Sequence, residues 1–286
     1  MDIKRILVVG AGVMGHGIAM VAARSGFDVS LVDVQEEFVQ RGMARVKKFL
    51  SDSVKRGKMT QAEGAALLAR LHPSTDLEAE AAAADFVIEA IIENREAKAA
   101  LFARLHNLCK EETIFASNTS QLSITELGRA SGRPELLIGM HWFNPPALMR
   151  LIEVPVGEKT SRETVEAALA MSRKMGKQPF ICKDSPGFIV NRILNPWYNE
   201  GMHLLYEGVA TAEGIDTALK EGGGFRMGPL ELRDLVGLDT ALHITEDLYQ
   251  RLRNDKFNPP MILRNLVAAG KLGRKSGEGF YKYDKT

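Results

Sequence analysis

Gly10, Gly12 and Gly15 stand in a G-x-G-x-x-G spacing straight after the apolar run Arg5-Ile6-Leu7-Val8-Val9, and Asp33 follows 18 positions after the last glycine. Residues of these types at this spacing recognise a dinucleotide. Gly10 permits a tight turn, Gly12 lets backbone N–H groups approach a pyrophosphate, and Gly15 lets the following helix pack closely on the strand. Val13 and Met14 complete the turn, at a helix start whose unpaired N–H groups and dipole favour an anion. A carboxylate at the end of the next strand, as Asp33 is, accepts both ribose hydroxyls of an adenosine and repels a 2′-phosphate. The expected cofactor is therefore NAD rather than NADP, with Arg24 and Arg41 the nearby cations that weigh the other way. A glycine-rich turn alone is weak evidence, but here strand, helix, second strand and acid all fall where they are required.

A second set of residues suits acid–base work. Asn144-Pro145-Pro146-Ala147-Leu148 reads as a short connection between strand candidates at 136–143 and 149–156. A hairpin centred on Ala147 sets His141 opposite Glu153, on one side of the sheet and within hydrogen-bonding range. An imidazole oriented by a buried carboxylate is a general base with its tautomer fixed and its cation stabilised. By itself such a pair is more often structural. Beside a nicotinamide it is the group an alcohol oxidation requires, since hydride leaves carbon while a proton leaves oxygen, and a pKa near about 6.5 suits that transfer. Ser120, in Ser117-Asn118-Thr119-Ser120, supplies a short polar side chain at a neighbouring strand end, where helix capping is the competing account. Asn191 sits early in the first helix of a second domain, with Pro186 suited to a first-turn position. It either faces solvent or points a hydrogen bond into an interdomain cleft, the preferred place for a ligand pocket.

The elements needed to position these groups are legible. A helix at 13–25 and a strand at 28–32 give the first half of a doubly wound sheet. Two helices within about 36–71 follow, the second opening on a capping box of Thr60 and Glu63. This inserted hairpin carries Arg41, Arg45, Lys47, Lys48, Lys55, Arg56 and Lys58. Such a run is usually a solvated face; the alternative is an electrostatic hand for a phosphate-bearing substrate. Strand runs at 85–90 and 113–117, separated by a helix at 95–108, indicate a parallel sheet covered on both faces. Ligands of such sheets bind beyond the carboxyl ends of the strands. The hairpin makes antiparallel strands the expected end of this sheet. A helix at 161–175 and a strand at 179–182 complete a first domain, 1–184. From 185 to 286 the periodicity is helical. The predicted fold is α/β, a Rossmann-like doubly wound and mainly parallel sheet with a helical-hairpin insertion, plus an all-α C-terminal domain.

The 286 residues suit about two domains at roughly 100–200 residues each. Lys+Arg number 37 against 36 Asp+Glu, and no basic block stands out. Nucleic-acid and membrane-surface binding both call for such a block, so small molecules are the expected partners. Cys109 and Cys182 form no C-x-x-C, which predicts neither a disulfide nor a metal site. The apolar N-terminal run passes into the glycine turn without the cleavage region of a secretory signal, and no apolar stretch reaches spanning length. A soluble cytoplasmic protein is expected.

The chain also resembles the L-3-hydroxyacyl-CoA dehydrogenase family, especially its stand-alone 3-hydroxybutyryl-CoA dehydrogenase type. The likeness covers essentially the whole length. Its motifs are Gly-Ala-Gly-Val-Met-Gly at 10–15, Ile88-Glu89-Ala90 with Glu93-Asn94, Ser117-Asn118-Thr119-Ser120 and His141-Trp142-Phe143-Asn144-Pro145. Further along come Pro186-Gly187-Phe188 with Val190-Asn191-Arg192, Met227-Gly228-Pro229 with Glu231-Leu232, and Gly277-Glu278-Gly279-Phe280-Tyr281. The resemblance implies NAD-dependent oxidation of an (S)-3-hydroxyacyl-CoA to the 3-ketoacyl-CoA, or the reverse. In it His141 is the base, Glu153 its orienting carboxylate, and Ser120 and Asn191 hydrogen-bond the substrate oxygen. For the cofactor it implies Asp33, Glu93, Lys98, Asn118 and Lys275; for the acyl-CoA substrate, Ser51 and Lys58; for assembly, a homodimer through the helical domain. Trp142 stands where phenylalanine is more usual, and Phe225-Arg226 where a neutral residue is frequent. Arg226 is thereby a candidate to reach a distal carboxylate, as in 3-hydroxyadipyl-CoA. A sugar-acid dehydrogenase of L-gulonate type is the competing enzyme, told apart by dependence on the CoA moiety. A non-catalytic NAD-binding protein would have lost parts of the set His141, Glu153, Ser120 and Asn191, and all four are present.

Overall fold

Strand β1 (Arg5–Val9) is buried from Ile6 to Val9, as a core strand covered on both faces must be. It passes through the glycine turn into α1 (Gly15–Arg24) and then β2 (Asp28–Val32), which lies parallel to β1 with Val32 beside Val9. The helical hairpin follows as α2 (Glu36–Lys55) and α3 (Gln61–Leu68). The capping box of α3 is closed, Glu63 N donating to Thr60 Oγ1 at 3.2 Å and Thr60 N to Glu63 Oε2 at 2.7 Å. Next come β3 (Leu71–Ser74), α4 (Leu77–Ala83), β4 (Phe86–Glu89), α5 (Arg95–Leu108), β5 (Ile114–Ser117), α6 (Ile124–Ala130) and β6 (Leu137–Gly139). These six strands form one sheet in the order β3-β2-β1-β4-β5-β6, every pair parallel. The order reverses beside β1, which opens a crevice at the carboxyl ends of β1 and β4. The computed structural model describes residues 3–284.

Two features depart from the pattern expected of the sequence. Strand β3 and helix α4 carry no periodic signal, because Leu71 is the one buried residue of β3 and Pro73 interrupts it; proline is tolerated there since β3 is an edge strand. The expected antiparallel end of the main sheet is corrected: β6 runs parallel to β5, and the chain then changes sheets. Strand β7 (His141–Trp142) pairs antiparallel with β8 (Leu151–Val156), and after α7 (Arg162–Lys174) strand β9 (Gln178–Lys183) lies parallel to β8 in a separate three-stranded sheet. Gly139 allows the change, since a Cβ there would fall 2.2 Å from Pro155 Cγ. Residues 137–142 are all buried, so the apolar pattern runs unbroken across the break and conceals it.

The chain divides into two compact units, Met1–Phe188 and Ile189–Thr286. The second comprises α8 (Val190–Tyr206), α9 (Ala212–Glu221), α10 (Pro229–Val236), α11 (Leu238–Leu252) and α12 (Met261–Ala268) around Met202, Ile215, Leu230, Leu238 and Leu263. Pro186 does not open α8, contrary to expectation. Gly187 and Phe188 take φ 75° and 46°, left-handed values that a helix cannot continue through, so α8 begins at Val190. The Gly279-Phe280-Tyr281 segment is tied down by Asp234, which accepts from Phe280 N at 3.0 Å and Tyr281 N at 2.9 Å. Among the described residues no helix is long and apolar enough to cross a membrane.

Candidate active site

The glycine turn shows three different requirements. Gly10 has φ +103°, and a Cβ there would lie 2.5 Å from Ala90 O. A Cβ on Gly15 would lie 1.6 Å from Gly10 O, so helix and strand approach as closely as glycine alone permits. A Cβ on Gly12 would meet no protein atom within 4 Å, so the backbone there borders open space. Helix α1 has no side-chain N-cap, which leaves its first N–H groups for an anion. Asp33 is held at the end of β2 by Ala11 N, donating to Oδ2 at 2.7 Å, and Val34 N, donating to Oδ1 at 2.7 Å. A cavity of about 520 Å³ runs along the turn and is lined by Gly10, Gly12, Val13 and Asp33, with Arg41 and Arg45 from α2. Glycines, uncapped helix and strand-end carboxylate together fit a dinucleotide. Two cations of the basic hairpin thus line this cleft.

Beyond β4, a buried ionic network supports the next strand end. Lys98 is 1% exposed, its Nζ 2.6 Å from Glu89 Oε1 and 3.2 Å from Glu93 Oε2. Ser117 Oγ donates to Glu89 Oε2 at 2.5 Å, and Ile91 N donates to Glu89 Oε1 at 2.8 Å. Burial pushes the Glu89 carboxyl above the usual carboxylate range, with Lys98 opposing it. Glu93 Oε1 accepts from Thr119 Oγ1 at 2.6 Å and Ser120 N at 2.8 Å, and Asn118 Oδ1 accepts from Trp142 N at 3.0 Å. Lys98 therefore acts by fixing Glu93, and Glu93 and Asn118 fix the Ser120 turn and β7. Replacing Lys98 with Met strands two carboxylates, one of them wholly buried, and is expected to cost roughly 3–5 kcal/mol of stability. Urea denaturation checks this; a midpoint equal to that of the unsubstituted protein would show the network contributes nothing.

The antiparallel register sets His141 opposite Glu153, the pairing expected of a hairpin centred on Ala147. Nδ1 of His141 lies 2.7 Å from Glu153 Oε2, and both residues are buried. A carboxylate only accepts, so Nδ1 carries the proton and Nε2 is left as the basic atom. Phe143 and Phe188 wall the imidazole, with ring centroids at 4.6 and 5.7 Å. Phe188 holds its ring there from φ 46°, a conformation rare outside glycine.

Within the first unit the structure thus brings together the turn residues with Asp33, the group Glu93, Lys98, Asn118 and Ser120, and the pair His141 and Glu153. Ser51 lies on the exposed face of α2, whereas Lys58, after α2, lines a separate cavity of about 320 Å³ with Arg24 and Arg70. Asn191 is the second residue of α8, half-buried. Lys275 donates to Asp239 Oδ2 at 2.7 Å within the helical unit, and Arg226 is exposed between α9 and α10. Burial pushes the Cys109 thiol up to about 11 and that of Cys182 up to about 12, so neither is a ready thiolate. Two roles escaped sequence reasoning: that of Glu89, named there only as part of a motif and here a carboxylate closing an apolar strand, and that of Lys177, a cation directly after the glycine that ends α7. In both cases the signal was a charge where burial is expected.

The comparisons with known proteins agree across both units. A family model described as "3-hydroxyacyl-CoA dehydrogenase, NAD binding domain" matches residues 5–185, and one described as "3-hydroxyacyl-CoA dehydrogenase, C-terminal domain" matches residues 187–283. The chain is 50% identical over 276 residues to a probable 3-hydroxybutyryl-CoA dehydrogenase of Deinococcus radiodurans, covering 96% of this chain and 99% of the relative. It is 42% identical over 283 residues to the 3-hydroxyadipyl-CoA dehydrogenase of Escherichia coli, covering 99% of this chain and 59% of that one. Among solved structures, (S)-3-hydroxybutyryl-CoA dehydrogenase from Ralstonia eutropha superposes with a TM-score of 0.96 at 44% identity, covering 99% and 100% of the two chains.

Proposed function

Because the chain belongs to the 3-hydroxyacyl-CoA dehydrogenase family, matched over both of its units, we propose His141 as the base of its reaction and Glu153 as the residue that orients it. The protein is an NAD-dependent enzyme that interconverts a 3-hydroxyacyl-CoA and the 3-ketoacyl-CoA. The observation that carries the proposal is the 2.7 Å contact between His141 Nδ1 and Glu153 Oε2. NAD, when bound, supplies the acceptor for the hydride that leaves C3. The protein's part is to manage the proton: Nε2 of His141 removes it from the 3-hydroxyl, and Glu153 stabilises the imidazolium that results. In the reducing direction His141 returns the proton. Ser120 and Asn191 are assigned as hydrogen-bond donors to the substrate oxygen, with Ser51 and Lys58 as contacts for the CoA phosphates. Toward the cofactor, Asp33 takes the adenosine ribose, Glu93 and Asn118 are assigned as contacts with Lys98 holding Glu93 in place, and Lys275 is assigned from the helical unit to the nicotinamide end.

A homodimer formed through the helical unit completes the reading, supported by exposed apolar side chains there, Ile193, Tyr206, Val209 and Met261 among them. The unpaired cysteines Cys109 and Cys182 fit a reducing, cytoplasmic location. The preferred acyl group is 3-hydroxybutyryl or similar, as in the D. radiodurans relative. Steady-state kinetics with acetoacetyl-CoA, the free 3-keto acid and a dicarboxylic 3-ketoacyl-CoA, each with NADH, tests the whole proposal. Turnover is expected to depend on the CoA moiety, and equal turnover of the free acid would sink it. The same series run on Arg226→Ala decides the acyl end. If Arg226 meets a distal carboxylate, the dicarboxylic substrate alone should lose about tenfold or more in kcat/KM, the loss of one charge-assisted hydrogen bond; an unchanged ratio would end that role.

A further inference from the structure

Helix α7 ends in a regular Schellman arrangement, Gly176 N donating to Arg173 O at 2.9 Å and Lys177 N to Ser172 O at 3.0 Å, with Gly176 at φ 71°. The residue after that glycine ordinarily turns inward as an apolar contact. Here it is a lysine, and it turns inward all the same: Lys177 is 7% exposed. A lysine is rarely so buried unless its charge is met. Among the described residues Lys177 forms no ion pair. Its Nζ instead donates to two backbone carbonyls, Pro146 O and Met149 O, the latter at 2.8 Å. The ammonium also lies over the Trp142 ring, 5.4 Å from its centroid. Burial, with the like charge of Arg24 second, pulls its pKa down to about 8, which records the cost of holding the cation there.

The partners of Lys177 are what give it significance. Pro146 and Met149 lie within the loop that joins β7 to β8, and Trp142 is the neighbour of His141. The far side of the same loop rests on the dinucleotide helix, where a Cβ on Gly17 would fall 3.0 Å from Pro146 Cγ. The indole Nε1 of Trp142 has no hydrogen-bond partner among the described residues, so its packing, including that against Lys177, holds the ring. The geometry points to Lys177 as a positioning residue for the reaction: its ammonium clamps the β7–β8 loop against α1 and so sets where the His141–Glu153 pair stands relative to the cofactor turn. It touches neither reactant and acts through the hairpin. This assignment rests on His141 being the base.

Lys177→Met and Lys177→Gln, each compared with Lys177→Arg, test it. Met removes the two donated hydrogen bonds and the charge, Gln keeps an N–H donor group without charge, and Arg keeps the charge together with several N–H donors. A small displacement of a reacting group is costly, so Met and Gln are expected to lower kcat by roughly tenfold to a hundredfold. NADH affinity by fluorescence titration should stay at the wild-type value, and Arg should restore most of the kcat. In proton NMR, the downfield resonance of the His141 Nδ1–H, identified by its loss in His141→Gln, should broaden or shift in the neutral variants. If Met yields no folded protein, Gln decides. A wild-type kcat per folded molecule in either neutral variant, with the resonance unmoved, overturns the role and leaves Lys177 a stability residue. An inactive wild-type enzyme would instead reject the proposed reaction, so the two failures are distinguishable.

Discussion

Replacing His141 with Gln is expected to lower kcat by about 10²–10⁴-fold, the range a positioned acid–base group contributes, while NADH binding is unchanged. The separation follows from where the residue sits. His141 belongs to the short strand β7, in the three-stranded sheet, and none of the residues lining the cavity along the glycine turn is His141. Glutamine retains a hydrogen-bonding side chain opposite Glu153 but has no atom that can take up a proton near neutral pH. Glu153→Gln should fall between the two enzymes, because it leaves Nε2 in place but withdraws the charge that stabilises the imidazolium. Stopped-flow reduction of acetoacetyl-CoA, alongside fluorescence titration of NADH, checks both. A His141→Gln enzyme that turns over at the wild-type rate would remove the histidine from the mechanism.

The second large effect is expected at the glycine turn, where two neighbouring glycines should fail in different ways. Gly15→Ala places a methyl carbon 1.6 Å from the Gly10 carbonyl oxygen, and since both positions are backbone, nothing flexible can give way. Strand and helix must separate, so stability should fall by an amount at or above the 1–3 kcal/mol usual for overpacking, roughly, and NADH affinity with it. Gly12→Ala meets no protein atom within 4 Å. Its melting temperature without cofactor should match the wild type, whereas NADH affinity should drop about tenfold or more, because the added methyl stands where the pyrophosphate must approach. Thermal melts and titrations of the two variants provide the comparison. Equal melting temperatures for both would contradict the close packing at Gly15, and undiminished NADH affinity in Gly12→Ala would contradict the position assigned to the pyrophosphate.

Much of this was legible in the residues because the signals are local. The dinucleotide turn is a contiguous segment whose glycines answer to backbone geometry, and Asp33 lies one crossover away. The His141–Glu153 pairing was readable for a related reason: a short connection fixes the register of a hairpin, and the strand period of two decides which side chains share a face. The change of sheets at Gly139 was not legible, since a strand buried on both sides has the same composition whichever sheet it belongs to. Nor was the start of α8 readable; Pro186 looks like a helix opener until the left-handed Gly187 and Phe188 are seen.

By itself, then, the sequence determined the cofactor class, the doubly wound architecture followed by helices, and the pairing of His141 with Glu153, each carried by neighbours within a turn, a hairpin or a helical period. The tertiary structure alone decided what supports them. Lys98 between Glu89 and Glu93, and Lys177 on the distant carbonyls of Pro146 and Met149, are charges whose burial only the fold reveals. A lysine's letter looks the same on a solvated face as in the core. Its meaning comes from the groups that replace its water, and those are known only once the chain has folded around it.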